Sequence, residues 1–408
     1  MQRRIKIGLL GNVLIAIALG IILGLWAPEW IVRIFVTVNG IFSEFLGFAV
    51  PLIILGLVAP AIANLGNNAG KMLLITVAIA YGSTVIAGLV SYFTGASLFP
   101  SMIDSSAASE LTEANNPLAY FTMEIPPLMS VMTALVLAFV LGIGMAGLKG
   151  KESLKKVIED FEAIVVQLIQ SVIIPVLPFY IFGIFLNITY VGQVFEILGV
   201  FLKIIGIIFL IHIGILILQF CIAGAISKKN PFKLLINMLP AYFTALGTQS
   251  SAATIPVTLA QTRKNGVSEE VSGFVVPLCA TIHMSGSMLK IVACALALMI
   301  MTGQSYSFGL FMGFICLLAI TMVAAPGVPG GSIMAALAVL ESVLGFDAEM
   351  QALMIALYIA MDSFGTACNV TGDGAIAMVV DFISGKQRKL QEPDMQRPQS
   401  DSTAESDL

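Results

Sequence analysis

Charge is scarce in this chain. Only 11% of its 408 residues are charged, against 58% hydrophobic, and the mean hydropathy is +0.99. A water-soluble fold of this length could not cover its surface with so few charges, so that class is excluded. Alternation of apolar and polar residues is lacking too. The apolar runs are continuous, which excludes a β-barrel and leaves an all-α membrane protein. There are two histidines, too few to build a metal centre alone. The five cysteines, Cys221, Cys279, Cys294, Cys316 and Cys368, lie in apolar runs without metal-ligand spacing and read as small buried residues. No nucleophile–base pair supports an enzyme, and no nucleic-acid partner is expected; the expected surroundings are membrane lipid.

Positive charge is missing from one loop. Residues 98–118 carry Asp104, Glu110 and Glu113 but no Lys or Arg. Basic residues gather instead at Arg3, Arg4 and Lys6, at Lys71, around Lys149 to Lys156, at Lys228, Lys229 and Lys233, at Arg263 and Lys264, and from Lys386 onward. The positive-inside rule makes those segments cytoplasmic and the 98–118 loop external. The apolar run after MQRRIK extends to Trp26 without a small-residue cleavage site, so it reads as a first transmembrane helix, not a signal peptide.

Long apolar segments fall at about 7–27, 31–64, 72–97, 118–148, 157–190 and 196–227. Six crossings from a cytoplasmic N-terminus return the chain inside at Lys228, in agreement with the charges. The 118–148 segment holds Pro126 and Pro127 and is expected to be broken. Between Lys233 and Arg263, both basic, lie 29 residues, too few for two crossings and wrong by charge for one. A re-entrant hairpin resolves this, with its tip in the small and polar stretch 244–256. Residues 268–301 then cross outward. Segment 307–344 is interrupted at 325–332 by proline and glycine and reads as a second hairpin, entering from the other face. Segment 348–384 returns the chain inside. The expected architecture is eight transmembrane helices plus two re-entrant hairpins, with the second half an inverted repeat. The units expected are residues 1–227 (six helices, mostly scaffold and trimerisation, partly transport domain), 228–385 (transport core) and 386–408 (a polar, disordered cytoplasmic tail).

Polar residues inside these runs are the candidates for function. Asp362, Thr366, Asn369 and Asp373 stand at offsets 0, 4, 7 and 11. At about 100° per residue they share one narrow helix face. Two carboxylates at membrane depth require a cation, a polar ligand or both. Asn369 and Asp373 could offer oxygens to Na⁺, and Asp362 a partner to a substrate amine. Ser250 and Ser251, at the first hairpin tip, suit a carboxylate at a half-helix N-terminus, or else simply cap it. Thr281 and nearby carbonyls could bind a hard cation, with Gly286 permitting an unwound backbone. His283 reads as a hydrogen-bonded core residue before a proton carrier, and His212 as structural. Lys290, well inside its run, needs a carboxylate or an interface to reach.

Four blocks in order, TQSSAATIP, ATIHMSGS, PGVPGGS and DSFGTACNVTGD, resemble the motifs of the dicarboxylate/amino acid:cation symporters, the family of glutamate-transporter homologues. The resemblance implies a homotrimer working by an elevator mechanism in a bacterial cytoplasmic membrane, with both termini cytoplasmic. It implies that Ser251 and Asn369 hold the substrate α-carboxylate and Asp362 the amine. Thr366 also binds substrate, and Val328 and Gly331 close the outer gate. One sodium site is implied at Asp373 and Asn369 with carbonyls near Cys279 and His283, and a second at Thr281 and Met284. The departures are equally specific. Gly365 stands where the family has an arginine that pairs with an acidic side chain, and Gln249 at the alternative arginine position. Ser285 and His283 replace Asp and Asn of the family's A-T-I-N-M-D-G-T. Small neutral amino acids such as serine, threonine or alanine are therefore expected, carried in symport with Na⁺. Proton coupling, an acidic or dicarboxylate substrate, and a channel-like pore are the alternatives. Lys290 as a tethered cation replacing one Na⁺, or His283 and Lys290 as a proton couple, are both open.

Overall fold

The computed structural model describes residues 9–66, 71–103, 117–147, 152–192, 194–323 and 330–391. Among them there is no β-strand. The first-half helices are α1 (Leu9–Gly24), α2 (Glu29–Gly66), α3 (Lys71–Leu98), α4 (Val131–Gly147), α5 (Glu152–Leu168), α6 (Ile174–Tyr190) and α7 (Val194–Ser227). A π turn, Ile169–Ile173, makes α5 and α6 one continuous rod. The second half contains α8 (Pro231–Thr248), α9 (Ser251–Lys264), α10 (Glu269–Ile282), α11 (Ser285–Met301), α12 (Phe308–Met322), α13 (Gly331–Leu344), α14 (Ala348–Ala360) and α15 (Asp362–Gln391). Five described helices or joined helices are long and apolar enough to cross a membrane, and the bent pair α14–α15 makes a sixth.

Several breaks fall where the sequence placed helix or loop differently. Residues 117–130 are not helical, as the prolines there required, and α4 starts only at Val131. The first expected tip, 244–256, is mostly helical. Only Gln249 and Ser250 separate α8 from α9: Gln249 closes α8 in a left-handed conformation (φ 53°), and the Ser250 hydroxyl accepts from Ala253 N–H to cap α9. The 268–301 helix breaks at His283 and Met284, so Gly286 lies in the first turn of α11 and is not unwound. Segment 348–384 is not one helix either. It bends by 62° at Met361, which puts Asp362 in the first turn of α15, where the helix dipole favours a carboxylate. That helix also runs past Lys386 to Gln391; the tail beyond it, 392–408, lies outside the described residues.

The helices sort into two packing groups. α1 packs along α6, and α2 against α4, α5 and α6. α3 and α7 instead join the second half: α3 lies along α11 and α12, and α7 along α8 and α15. At the centre is α10–α11. The most apolar stretch of Glu269–Met301 is wholly buried, so protein, not lipid, surrounds it on all sides. Fewer contacts join the groups, chiefly α2 with α13 and α14 with α1 and α6. Basic side chains reach the described ends of the basic-poor loop: Arg33 donates to Leu118 O and lies over the Tyr120 ring at 4.3 Å, and Lys203 donates to Met102 O. Glu44, inconvenient in lipid, accepts from Ile125 N–H at 3.2 Å.

Where lipid offers no hydrophobic gain, close approach of small residues holds helices together. On α4, Ala134, Ala138 and Gly142 are buried one turn apart against α2. A Cβ at Gly142 would lie 2.6 Å from Ile62 Cβ and 3.0 Å from Ala59 O, whereas one at Gly144 would meet nothing within 4 Å. Gly142→Ala is therefore expected to cost about 1–3 kcal/mol and lower the thermal midpoint of the detergent-solubilised protein. Gly144→Ala, two residues away, should leave the midpoint unchanged or slightly raised. Equal shifts in the two variants would contradict the packing described.

Candidate substrate and cation site

The polar face of α15 is turned towards α11, and the two backbones approach closely because two glycines meet. A Cβ on Gly286 would lie 2.5 Å from Gly365 O and 2.6 Å from Cys368 Cβ. Along this contact three of the four polar residues of α15 are answered by a group on or just before α11. Asp362 Oδ1 accepts from Lys290 Nζ at 3.0 Å, with both side chains buried. Asn369 Oδ1 accepts from the backbone N–H of Gly286 (2.7 Å) and of Ser287 (3.3 Å), and so caps the start of α11. Asp373 Oδ1 lies 2.9 Å from His283 Nδ1. The fourth, Thr366, is buried on the same face.

The Lys290–Asp362 pair is the most elaborate of these. Lys290 is 0% exposed, and its ammonium stands 3.4 Å from the centroid of the Tyr358 ring. Asp362 Oδ2 accepts from Gly330 N–H at 2.9 Å, which ties the start of α13 to the same carboxylate. The lysine stem passes directly over Gly365: a Cβ there would lie 2.8 Å from Nζ, 2.9 Å from Cε and 3.2 Å from Cδ. Position 365 thus carries no cation of its own, yet an ammonium occupies the space beside it. Any side chain at 365 would displace Lys290.

His283 is held on both ring nitrogens. A carboxylate only accepts, so Nδ1–H donates to Asp373. Nε2 is hydrogen-bonded to the Ser83 hydroxyl at 3.2 Å, and Ser83 accepts from Gln219 Nε2 at 3.0 Å. Gln219 also donates to Ser285 Oγ at 3.2 Å. His212 donates to Gly286 O at 3.1 Å and holds the opening turn of α11 from the side of α7.

The remaining candidates are placed as follows. Met284 is buried, its sulfur accepting from Asn369 Nδ2 (3.5 Å) and Ser332 Oγ (3.7 Å). Cys279 is buried and its carbonyl accepts from His283 N–H at 2.9 Å. Thr281 is exposed, with its hydroxyl on Leu278 O at 2.8 Å, away from that cluster. Ser251 is buried at the start of α9, which packs against α10 and α15. Gly331 opens α13 next to Gly330, which has φ +76°. Val328 lies outside the described residues. Sequence reasoning passed over Tyr358, Gly330, Ser83, Ser287 and Gln219. Gln219 was the findable one, a lone amide in the apolar run of α7; Ser287 and Gly330 lay within quoted motif blocks without being given a role, and Ser83 gave no signal beyond small-residue packing.

Residues 9–383 match the model of the sodium:dicarboxylate symporter family. The curated relatives include Excitatory amino acid transporter 4 of Mus musculus, 34% identical over 178 residues, which is 42% of this chain and 31% of that protein. They also include an Excitatory amino acid transporter of Caenorhabditis elegans, 29% identical over 294 residues (69% of this chain, 57% of that one). Excitatory amino acid transporter 2 of Homo sapiens is 28% identical over 284 residues (65% and 48%). The chain thus matches between about a third and a little over half of the length of these relatives. With several apolar helices, a chain so related is a multi-pass membrane protein.

The double capping by Asn369 is testable against a neighbour with no such partner. Thr371 Oγ1 is buried without a hydrogen-bond partner. Asn369→Ala should destabilise the protein by about 1–2 kcal/mol, the usual worth of a helix cap, read as a lower thermal midpoint without added substrate. Thr371→Val removes an unsatisfied hydroxyl at nearly constant volume and should be neutral or stabilising. The reverse order of midpoints would refute the assignment of Asn369 as the cap of α11.

Proposed function

Because the chain belongs to the sodium:dicarboxylate symporter family, we propose that it is a secondary active symporter importing small neutral amino acids, of the serine, threonine or alanine type, together with Na⁺. The Lys290–Asp362 pair carries this reading. One carboxylate and one ammonium, 3.0 Å apart and buried, already balance each other. A zwitterion, itself neutral, enters such a site without leaving a net charge at membrane depth. Its amine is assigned to Asp362. Thr366, Gly365, Asn369, Ser250 and Ser251 at the start of α9, and Gly331 at the start of α13 form the rest of the substrate site, with Val328 assigned to it by the family resemblance.

The architecture in this reading is eight transmembrane helices and two re-entrant hairpins, α8–α9 and α12–α13. The protein is a homotrimer in a bacterial cytoplasmic membrane, with both termini inside. The two packing groups support an elevator: α1, α2, α4 and α5–α6 form the scaffold, and α3, α7 and α8 to α15 the moving part. Within the unit 1–227, the first-half helices assigned to the transport domain are then α3 and α7. For the cations, Asp373, Asn369, Cys279, Thr281 and Met284 remain the candidate residues. The imidazole on Asp373 supports a sodium complement smaller than the family pattern implies, with H⁺ as the alternative to one Na⁺.

A second reading has its own observation. The ammonium beside Gly365 could receive the side-chain carboxylate of an acidic substrate, and the curated relatives are excitatory amino acid transporters by name. Uptake into proteoliposomes separates the two. With an inward Na⁺ gradient, serine, threonine or alanine should accumulate and aspartate should not; removing Na⁺ should abolish accumulation. Aspartate or a dicarboxylate as the preferred substrate would overturn the neutral-substrate reading. Accumulation driven only by a proton gradient would overturn sodium coupling.

A further inference from the structure

Both oxygens of Asp362 are engaged by groups of this chain: Oδ1 by Lys290 Nζ and Oδ2 by Gly330 N–H. Resting on the reading above, a substrate amine must take this same carboxylate. It therefore competes with Lys290, which is a primary amine of the same charge. The displaced ammonium has nowhere aqueous to go, since Lys290 is 0% exposed and leaves a helix whose every residue is buried. The π face of Tyr358 stabilises it only in part. It needs a carboxylate, and the entering zwitterion brings one.

We propose that Lys290 is a tethered stand-in for the substrate amine: the Lys290–Asp362 pair opens to admit a zwitterion and re-forms when it leaves. Loading is then an exchange of partners. The substrate ammonium goes to Asp362, the substrate carboxylate to Lys290, and no net charge is added. Unloading reverses this, so the moving domain returns without a bare carboxylate inside it. The hydrogen bond from Gly330 gives the exchange a mechanical side. The start of α13 rests on Asp362 through the oxygen that Lys290 does not use, so that contact can persist whichever amine holds the other oxygen. Gly365 is part of the device, because only the absence of a Cβ lets the lysine stem lie across α15.

The consequence separates two modes of transport. Net uptake into empty proteoliposomes requires the unloaded carrier to return; exchange against internal substrate does not. Lys290→Met leaves Asp362 without a counter-charge only in the unloaded carrier. Gly365→Ala keeps every charge but places a Cβ 2.8 Å from Nζ and pushes the lysine away; it also serves if Lys290→Met does not fold. In both variants net uptake should fall by about tenfold or more, on the scale of breaking a buried ion pair. Exchange should fall as well, because the substrate carboxylate loses its partner, but by at least about threefold less than net uptake, since only the unloaded carrier also leaves Asp362 bare. Equal loss in both modes, or retention of both, would overturn the proposal. The wild-type arm fixes the substrate first. If that substrate is aspartate, the neutral-substrate reading falls, and the same two modes measured with aspartate still decide what Lys290 does.

Discussion

Burying charge away from water is costly unless each charge is met by a partner with good geometry, and two buried carboxylates on one face of α15 impose that condition on the whole second half of the chain. The partners come from α10–α11: Lys290 for Asp362, two backbone N–H groups for Asn369, His283 for Asp373. These contacts need the two backbones close together, which Gly286 and Gly365 permit. They also need α11 wrapped in protein, and every residue of that helix is buried. The interruptions follow the same logic. The break at His283 and Met284 frees the N–H groups that Asn369 caps, and the bend at Met361 sets Asp362 at a helix start facing Lys290 and Gly330.

The partition of helices gives this site its setting. α3 belongs by sequence position to the first half, yet it lies along α11, and its Ser83, Thr84 and Ser91 bond to His283, Met284 N–H and Leu289 O. α7 contributes Gln219 and His212 to the same region. The polar centre is therefore carried by one group of helices, while α1, α2, α4 and α5–α6 pack mainly among themselves. Both buried ion pairs of that centre, Lys290–Asp362 and His283–Asp373, lie within this group of helices, and the other group contributes to neither.

Position 365 shows how chemistry can shift between helices. A cation missing from α15 stands beside it all the same, delivered from α11 by Lys290 across the space that a glycine leaves. The loss of one side chain and the presence of the other form a single arrangement, and it changes what can bind from a question about one residue to one about a pair.

Much of this was legible in the sequence, because membrane insertion writes itself into composition. Scarce charge and continuous apolar runs determined an all-helical membrane protein, and the offsets 0, 4, 7 and 11 put Asp362, Thr366, Asn369 and Asp373 on one face. Lys290 stood out as a buried amine in need of a carboxylate. The ordered motif blocks pointed to the family that the chain's matches bear out. Three things were decided only by tertiary structure. Which carboxylate met Lys290 depended on the register of α11 against α15, a contact between residues 72 positions apart. His283 found Asp373 across 90 positions in the same way. The bend before Asp362 escaped the sequence because the apolar run continues through it, and the tip placed within 244–256 was narrowed to Gln249 and Ser250 only by the backbone's hydrogen bonds. Sequence fixes what must be paired at membrane depth; the packing of helices chooses the partner, since that choice depends on distances that no local pattern contains.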